Sequence, residues 1–228
     1  ARFESHQMPL KKIYNDKIPD WKIIARNKEQ AFAIDMLLDP KIKLVTLVGR
    51  AGSGKTLCAI AAGLQQTIGL RSDQNHYSRL IVSRPVQPMG RDLGFLPGTM
   101  EEKMLPWLMP IQDNLKFLMG DRTSLEMYIQ NGKIEIEALT YIRGRSISNA
   151  FIVIDEAQNL SKHEVKTIIT RIGEGTKIVL TGDIEQIDNI YVNETSNGLA
   201  HAIENFKEYN VCGHVTFRKG ERSELATL

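Results

Sequence analysis

The sequence is nearly devoid of cysteine. Its two thiols, Cys58 and Cys212, stand at neither a metal-ligand nor a redox spacing. That excludes a disulfide scaffold and a cysteine-based zinc module, and points to a reducing, cytoplasmic setting. No apolar run approaches the ~20 residues a membrane-spanning helix needs, and no secretory leader is visible, so no membrane partner is expected. Charge of one sign is also missing: 29 Lys and Arg against 27 Asp and Glu leave a formal net charge of +2. A global basic field advertising nucleic acid is thereby excluded, while a local basic patch is not. There is no internal repeat and no low-complexity tract. What is present is an ordinary globular composition, 42 % apolar and 25 % charged in 228 residues, enough for one large domain or two small ones and for a full core without disulfides. The chain opens on Ala1 rather than Met and ends on "SELATL", in the manner of an interrupted helix. It therefore reads as a segment of a longer protein, with a partner domain expected beyond one end or the other.

The apolar pattern divides the chain into a leader, residues 1–25 with Pro9 and Pro19, and one domain over 26–228. A helix is predicted from Asn27, a cap candidate, with Phe32, Met36 and Leu37 on one side. Leu44 to Val48 reads as a buried strand. Lys55 to Ile68 then keeps the helical period, with Leu57, Ile60, Ala61, Leu64 and Ile68 on one face. Further buried strands are predicted at 79–83, 151–155, 177–181 and 214–217, and a strand with polar alternate positions at 133–140, near a sheet edge. Two more helical faces carry Val165, Ile168, Ile169 and Ile172, and Leu199, Ile203 and Phe206. The stretch 87–110, rich in Gly, Pro and Met, interrupts the alternation as a structured insertion. Apolar strands alternating with amphipathic helices predict an α/β fold, a three-layer sandwich around a mostly parallel sheet.

Three strand ends carry the chemistry. After the first buried strand comes Gly49-Arg50-Ala51-Gly52-Ser53-Gly54-Lys55-Thr56, which fits GxxxxGK[ST] in the strand–loop–helix context that motif requires. Glycines let the backbone N–H groups turn inward around a phosphate, and the following helix adds its positive end. Lys55 would reach the β- and γ-phosphates of ATP, and the Thr56 hydroxyl would ligate Mg²⁺. After "FIVI" comes Asp155-Glu156, at the carboxyl edge where open α/β sheets bind ligands. Asp155 is placed to hold the Mg²⁺ through water, and Glu156 to orient or deprotonate the attacking water. After "KIVL" comes Thr181-Gly182-Asp183 and then Gln186, placed to sense the γ-phosphate.

The set GxGKT, DEAQ and GDxxQ resembles motifs I, II and III of superfamily-1 helicases, which implies a RecA-like P-loop domain. "LGFLPGTMEEKMLPWLMPIQDNL" and "RGRSISNAFIVIDEAQN" resemble more narrowly the PhoH-like ATPases, over roughly residues 20–225. The segment "EQIDNIYVNETSNGLAHAIE" favours the branch in which this ATPase follows an N-terminal PIN-type ribonuclease domain. The acidic cluster of that nuclease is not in this chain. The resemblance implies Mg²⁺-dependent ATP hydrolysis coupled to RNA binding or unwinding. The residues also admit a regulatory or assembly module without a nucleic-acid ligand.

The resemblance further gives Gln30 the role of adenine reader, through the paired donor and acceptor of its amide; a surface helix residue is the other reading. Trp21 or Ile24 would cover the ring. A second RecA-like domain usually completes such a site, and this chain has room for one only. Either identical subunits close the site in a homo-oligomeric ring, or the domain is not a motor. Arg143, Arg145, Arg218 and Arg222 are the candidates for the completing arginine, Arg222 foremost; Arg143 and Arg145 are equally candidates for RNA phosphates. His163 and His201 have no companions at metal-ligand spacing.

Overall fold

The structure, a computed structural model, describes residues 13, 15–71, 75–85, 100–120, 122–142, 146–193 and 196–218. An antiparallel hairpin, β1 (Lys17–Ile18) and β2 (Ile23–Ile24), turns through a 3-10 segment at Pro19–Trp21. Then follow α1 (Lys28–Leu38), β3 (Leu44–Gly49), α2 (Lys55–Ile68) and β4 (Arg79–Arg84). After these come α3 (Met100–Met119), α4 (Arg122–Gln130), β5 (Ile134–Ala138) and α5 (Leu139–Ile142). The chain continues with β6 (Ala150–Ile154), α6 (Lys162–Ile169), β7 (Lys177–Gly182), α7 (Gly198–Phe206) and β8 (Cys212–Phe217).

Six strands form one sheet in the order β5-β4-β6-β7-β3-β8, and every neighbouring pair is parallel. All six carboxyl ends therefore lie on one edge. The three strand ends singled out by sequence belong to the adjacent strands β6, β7 and β3, so the topology alone assembles them.

Both faces of the sheet are covered, which is why β6 reads Phe-Ile-Val-Ile with no polar position. Phe151 and Val153 join one core with Ile34, Leu37, Ile60 and Leu64. Ile152 and Ile154 join the other, with Val165, Ile168 and Leu199. Helix α2 lies close on the first face because residue 63 is glycine. A Cβ there would stand 2.6 Å from Leu80 Cδ1 and 2.9 Å from Phe151 Cδ1, an overpacking that typically costs about 1–3 kcal/mol.

The strand from Ile134 occupies a sheet edge, as its alternating polarity predicts, and the expected strands and α2 match the structure to within two or three residues. The leader reading needs correction from Asp16 onward. Ile18 is fully buried in the first core, Asn15 N–H donates to Asp35 Oδ1 at 3.3 Å, and Asp20 and Gln65 exchange two hydrogen bonds of 3.2 and 2.7 Å. The hairpin thus packs on α1 and α2. Two prolines had disguised a segment whose single large apolar anchor carries no periodicity. The insertion reading changes as well: residues 100–110 belong to α3, which contains Pro106 and Pro110. Interior prolines remove helical hydrogen bonds and mask the helical pattern. The part of that segment before Met100 lies outside the described residues. Ile172 sits beyond α6, in an isolated bridge to Ile147.

Candidate active site

The loop between β3 and α2 reaches its shape through two left-handed glycines, Gly52 (φ 78°) and Gly54 (φ 89°), a region that other residues avoid. Lys55 opens α2 and folds back over the loop: its Nζ donates to Gly49 O at 2.6 Å and Arg50 O at 3.1 Å. The ammonium is almost fully buried and already held by loop carbonyls. Thr56, one residue on, donates its hydroxyl to Asp155 Oδ1 at 2.7 Å. Thr181, at the end of β7, donates to the same oxygen at 2.6 Å. Three strand ends thus meet on one buried carboxylate.

Glu156 takes the left-handed region as a non-glycine residue (φ 54°, ψ 38°), a conformation that typically costs about 1–2 kcal/mol and persists only where neighbours over-determine it. The neighbours are visible. Arg84, at the end of β4, pairs with Glu156 Oε1 at 3.2 Å, with both side chains partly buried. Gln158 Nε2 donates to Glu156 Oε2 at 2.6 Å and to Gln186 O at 2.9 Å, and Gln158 Oε1 accepts from Asp183 N–H at 3.1 Å. Gln158 is fully buried. It ties the turn after β6 to the turn after β7. Asn159 repeats the tie, accepting from Asp188 N–H at 2.8 Å and from Asn189 Nδ2 at 2.8 Å. Three buried oxygens in this region, Ser53 Oγ, Ser83 Oγ and Asp183 Oδ2, have no hydrogen-bond partner.

A cleft of about 800 Å³ opens beside the loop, between the β1–β2 hairpin, the start of α2 and the end of α3. Trp21, Ile24, Leu57 and Phe117 form its apolar walls, and Gln30 and Arg26 belong to its lining. Trp21 and Ile24 thus both line this cleft. Gln30 is neither of the alternatives in simple form. It is buried rather than on a helix surface, and its amide is engaged by protein: Nε2 donates to Ser53 O at 3.1 Å and Oε1 accepts from Arg26 N–H at 2.8 Å.

The structure brings together Gly49 through Thr56, Asp155, Glu156 and Thr181. It does not bring the Gln186 side chain into the network: Gln186 is exposed and contributes its backbone carbonyl. Arg50 is exposed and pairs with Glu185 at 3.3 Å. Of the four arginine candidates, Arg218 alone lies among the described residues. It is exposed, directly after Phe217, the register partner of Gly49; Arg143, Arg145 and Arg222 lie outside them. His163 is exposed and His201 partly so, neither in a metal-ligating group among the described residues. Sequence reasoning missed Arg84 and gave Gln158 no role. A charged residue closing the buried run "LIVS" was the available signal for Arg84. No described helix is long and apolar enough to cross a membrane.

A family model for PhoH-like proteins matches residues 22–226. Protein PhoH2 of Bacillus subtilis is 52 % identical over 222 residues, 96 % of this chain and 49 % of that protein. Protein PhoH2 of Mycolicibacterium smegmatis is 39 % identical over 204 residues, 89 % of this chain and 45 % of that protein. The chain spans about half the length of these relatives. Among solved structures, the DUF1998 helicase MrfA bound to DNA is similar in fold, with a TM-score of 0.50 at 12 % identity over 93 % of this chain and 30 % of that one. With a matching model over nearly its whole length, and a parallel sheet that carries the phosphate loop and acidic turn on adjacent strands, the chain belongs to the PhoH-like family and has the α/β, RecA-like fold of P-loop NTPases.

Proposed function

We propose that this chain binds ATP with Mg²⁺ and hydrolyses it, and that turnover is coupled to RNA. The observation that carries the reading is the convergence of Thr56 and Thr181 on Asp155 Oδ1, one residue from Lys55. The residues fit the cofactor pair. A hydroxyl and a single carboxylate suit Mg²⁺, which keeps several waters and is held by few protein oxygens together with substrate phosphates. No cluster of three acidic or imidazole side chains competes for that role among the described residues. The partnerless Ser53 Oγ lies within a loop whose amides suit a phosphate.

Thr56 and Asp155 would hold the metal, which when bound draws charge from the β- and γ-phosphate oxygens. Lys55 would exchange its two carbonyl partners for phosphate oxygens. Glu156 would take a proton from the attacking water as that oxygen bonds to the γ-phosphorus and the bond to the β-bridging oxygen breaks. Arg84 and Gln158 hold the two oxygens of Glu156 and so aim it. Gln158 would pass a change at the turn after β7, including Asp183 and Gln186, directly to Glu156.

The fold and family support the RNA-coupled part, and the relatives' length supports a further domain, of which a PIN-type ribonuclease is our proposal. We propose that identical subunits complete the site head-to-tail in a closed ring. The near-neutral net charge of +2 favours the alternative of a regulatory module without nucleic acid. ATP turnover and light scattering measured together, with and without RNA, discriminate the readings. Acceleration by RNA supports coupling; turnover indifferent to RNA supports the regulatory module. Lys55→Ala is expected to fold, with a clean melting transition, and to lose tight ATP binding. Unchanged nucleotide affinity in that variant refutes the site.

A further inference from the structure

Adenine is told apart from other bases by a donor and an acceptor presented side by side to its edge, and a glutamine amide is suited to present both. Gln30 borders the cleft beside the phosphate loop, but its amide holds the protein together. Nε2 donates to Ser53 O within the loop, a buried bond of 3.1 Å, and Oε1 accepts from Arg26 N–H, just ahead of the helix cap Asn27, at 2.8 Å. A Cβ on Gly54 would stand 3.0 Å from Nε2, so the amide lies directly against the loop backbone. Turning it toward a base would leave the Ser53 carbonyl and the Arg26 N–H without these bonds.

Of the other polar groups of the wall, Trp21 Nε1 is buried without a hydrogen-bond partner, a donor alone that meets an acceptor on every base, while the following are occupied. Asp20 Oδ2 accepts from Gln65 Nε2 at 2.7 Å and from Leu70 N–H at 2.8 Å. The N–H groups of Lys22 and Ala25 donate to Pro19 O and Asp16 O within the hairpin segment. What lines the rest of the cleft includes Trp21, Ile24, Leu57, Phe117 and Met119, with Lys22 and Arg26 as cations. Aromatic and aliphatic walls stack on the face of any base, and either cation finds an acceptor on each of them.

We infer that the site takes nucleoside triphosphates by their phosphates and by stacking, with little selection among bases, and that Gln30 is a positioning residue for the phosphate loop rather than a base reader. This rests on the nucleotide-binding reading above. The test displaces a fluorescent ATP analogue from the full chain with ATP, GTP, CTP or UTP in Mg²⁺, a readout independent of hydrolysis. The four are expected to compete within about tenfold of one another, because a pocket lacking base-directed hydrogen bonds discriminates weakly, whereas one built on them separates analogues by about 10⁴-fold. ATP ahead of all three others by about a hundredfold or more overturns the inference and leaves nucleotide binding intact. Failure of the analogue to bind at all overturns the nucleotide reading and the inference together. Gln30→Ala is expected to weaken all four by a similar factor; a loss confined to ATP makes Gln30 the reader of adenine and overturns the inference. Should that variant not fold, the parent's competition series decides alone.

Discussion

The two ends of the proposed nucleotide site are built differently. At the phosphate end, Lys55, Thr56, Asp155, Glu156, Gln158 and Thr181 are buried or partly buried, and each makes hydrogen bonds of 2.6 to 3.1 Å within the loop or the strand-end turns. At the base end, a cleft of about 800 Å³ has apolar walls, and the Gln30 and Asp20 side chains both bond to other parts of the protein. The difference follows from what each end would hold. Charge developing on a phosphoryl group is stabilised only by donors and cations already in position, so that end tolerates little slack. A base stacked on apolar walls contributes through area, which many arrangements supply.

The sharpest break in this comparison concerns the proposed completing arginine. A completing arginine from a neighbouring subunit typically contributes about 10³–10⁵-fold to phosphoryl transfer. Turnover per chain is therefore expected to rise with protein concentration. Mixing Lys55→Ala with a variant lacking Arg143, Arg145, Arg218 or Arg222 should restore part of it. Concentration-independent turnover, with no rescue in any mixture, would mean that one chain holds a complete site.

Within the phosphate end, Glu156→Gln keeps the shape and removes the base, so turnover is expected to fall by about 10²–10⁴-fold with nucleotide binding retained. Parent-like turnover would reduce Glu156 to a turn residue. Arg84→Ala should come next. Losing the group that aims Glu156 is expected to lower kcat by about tenfold to a hundredfold without weakening nucleotide binding, with part of the loss recovered in Arg84→Lys. In a Glu156→Gln background the same change should add nothing; an additive loss there would assign Arg84 to the fold or to another step. The smallest effect belongs to the base end. Trp21→Ala is expected to weaken every nucleotide by about tenfold, the low range for one stacking contact, with kcat unchanged. A kcat loss equal to that of Arg84→Ala would erase the distinction between the two ends.

The loop was legible in the sequence because everything that defines it is consecutive: an apolar strand, glycines where positive φ is needed, then a helix. The turn at Asp155 and Glu156 was legible for the same reason. Arg84 was not, since its partner lies 72 residues away and nothing in its neighbourhood announces a carboxylate. Gln186 was expected to act through its side chain; the structure gives the network its carbonyl instead, because the buried amide of Gln158 reaches that carbonyl from the neighbouring strand's turn. Gln30 was in the right region with the wrong partners, its burial coming from a hairpin that the prolines had made look like a leader.

Lys177 marks the boundary between the two kinds of information. It is the one charged residue of the buried strand "KIVLT". In the structure it is fully buried, and its Nζ donates to Met36 O, Leu37 O and Asp39 O at the end of α1, at 3.1, 2.6 and 2.8 Å. By itself the sequence determined the six strands of the main sheet, the phosphate loop, the acidic turn and, through the parallel alternation, the edge where they meet. These depend on backbone conformation and apolar periodicity, which neighbouring residues encode. The tertiary structure alone decided that Lys177 caps α1, that the hairpin joins the domain, that Gln30 latches the loop and that Arg84 faces Glu156. The partner of a buried polar group is whichever donor or acceptor a distant segment brings within about 3 Å, and that is a property of the assembled layers rather than of any stretch of chain.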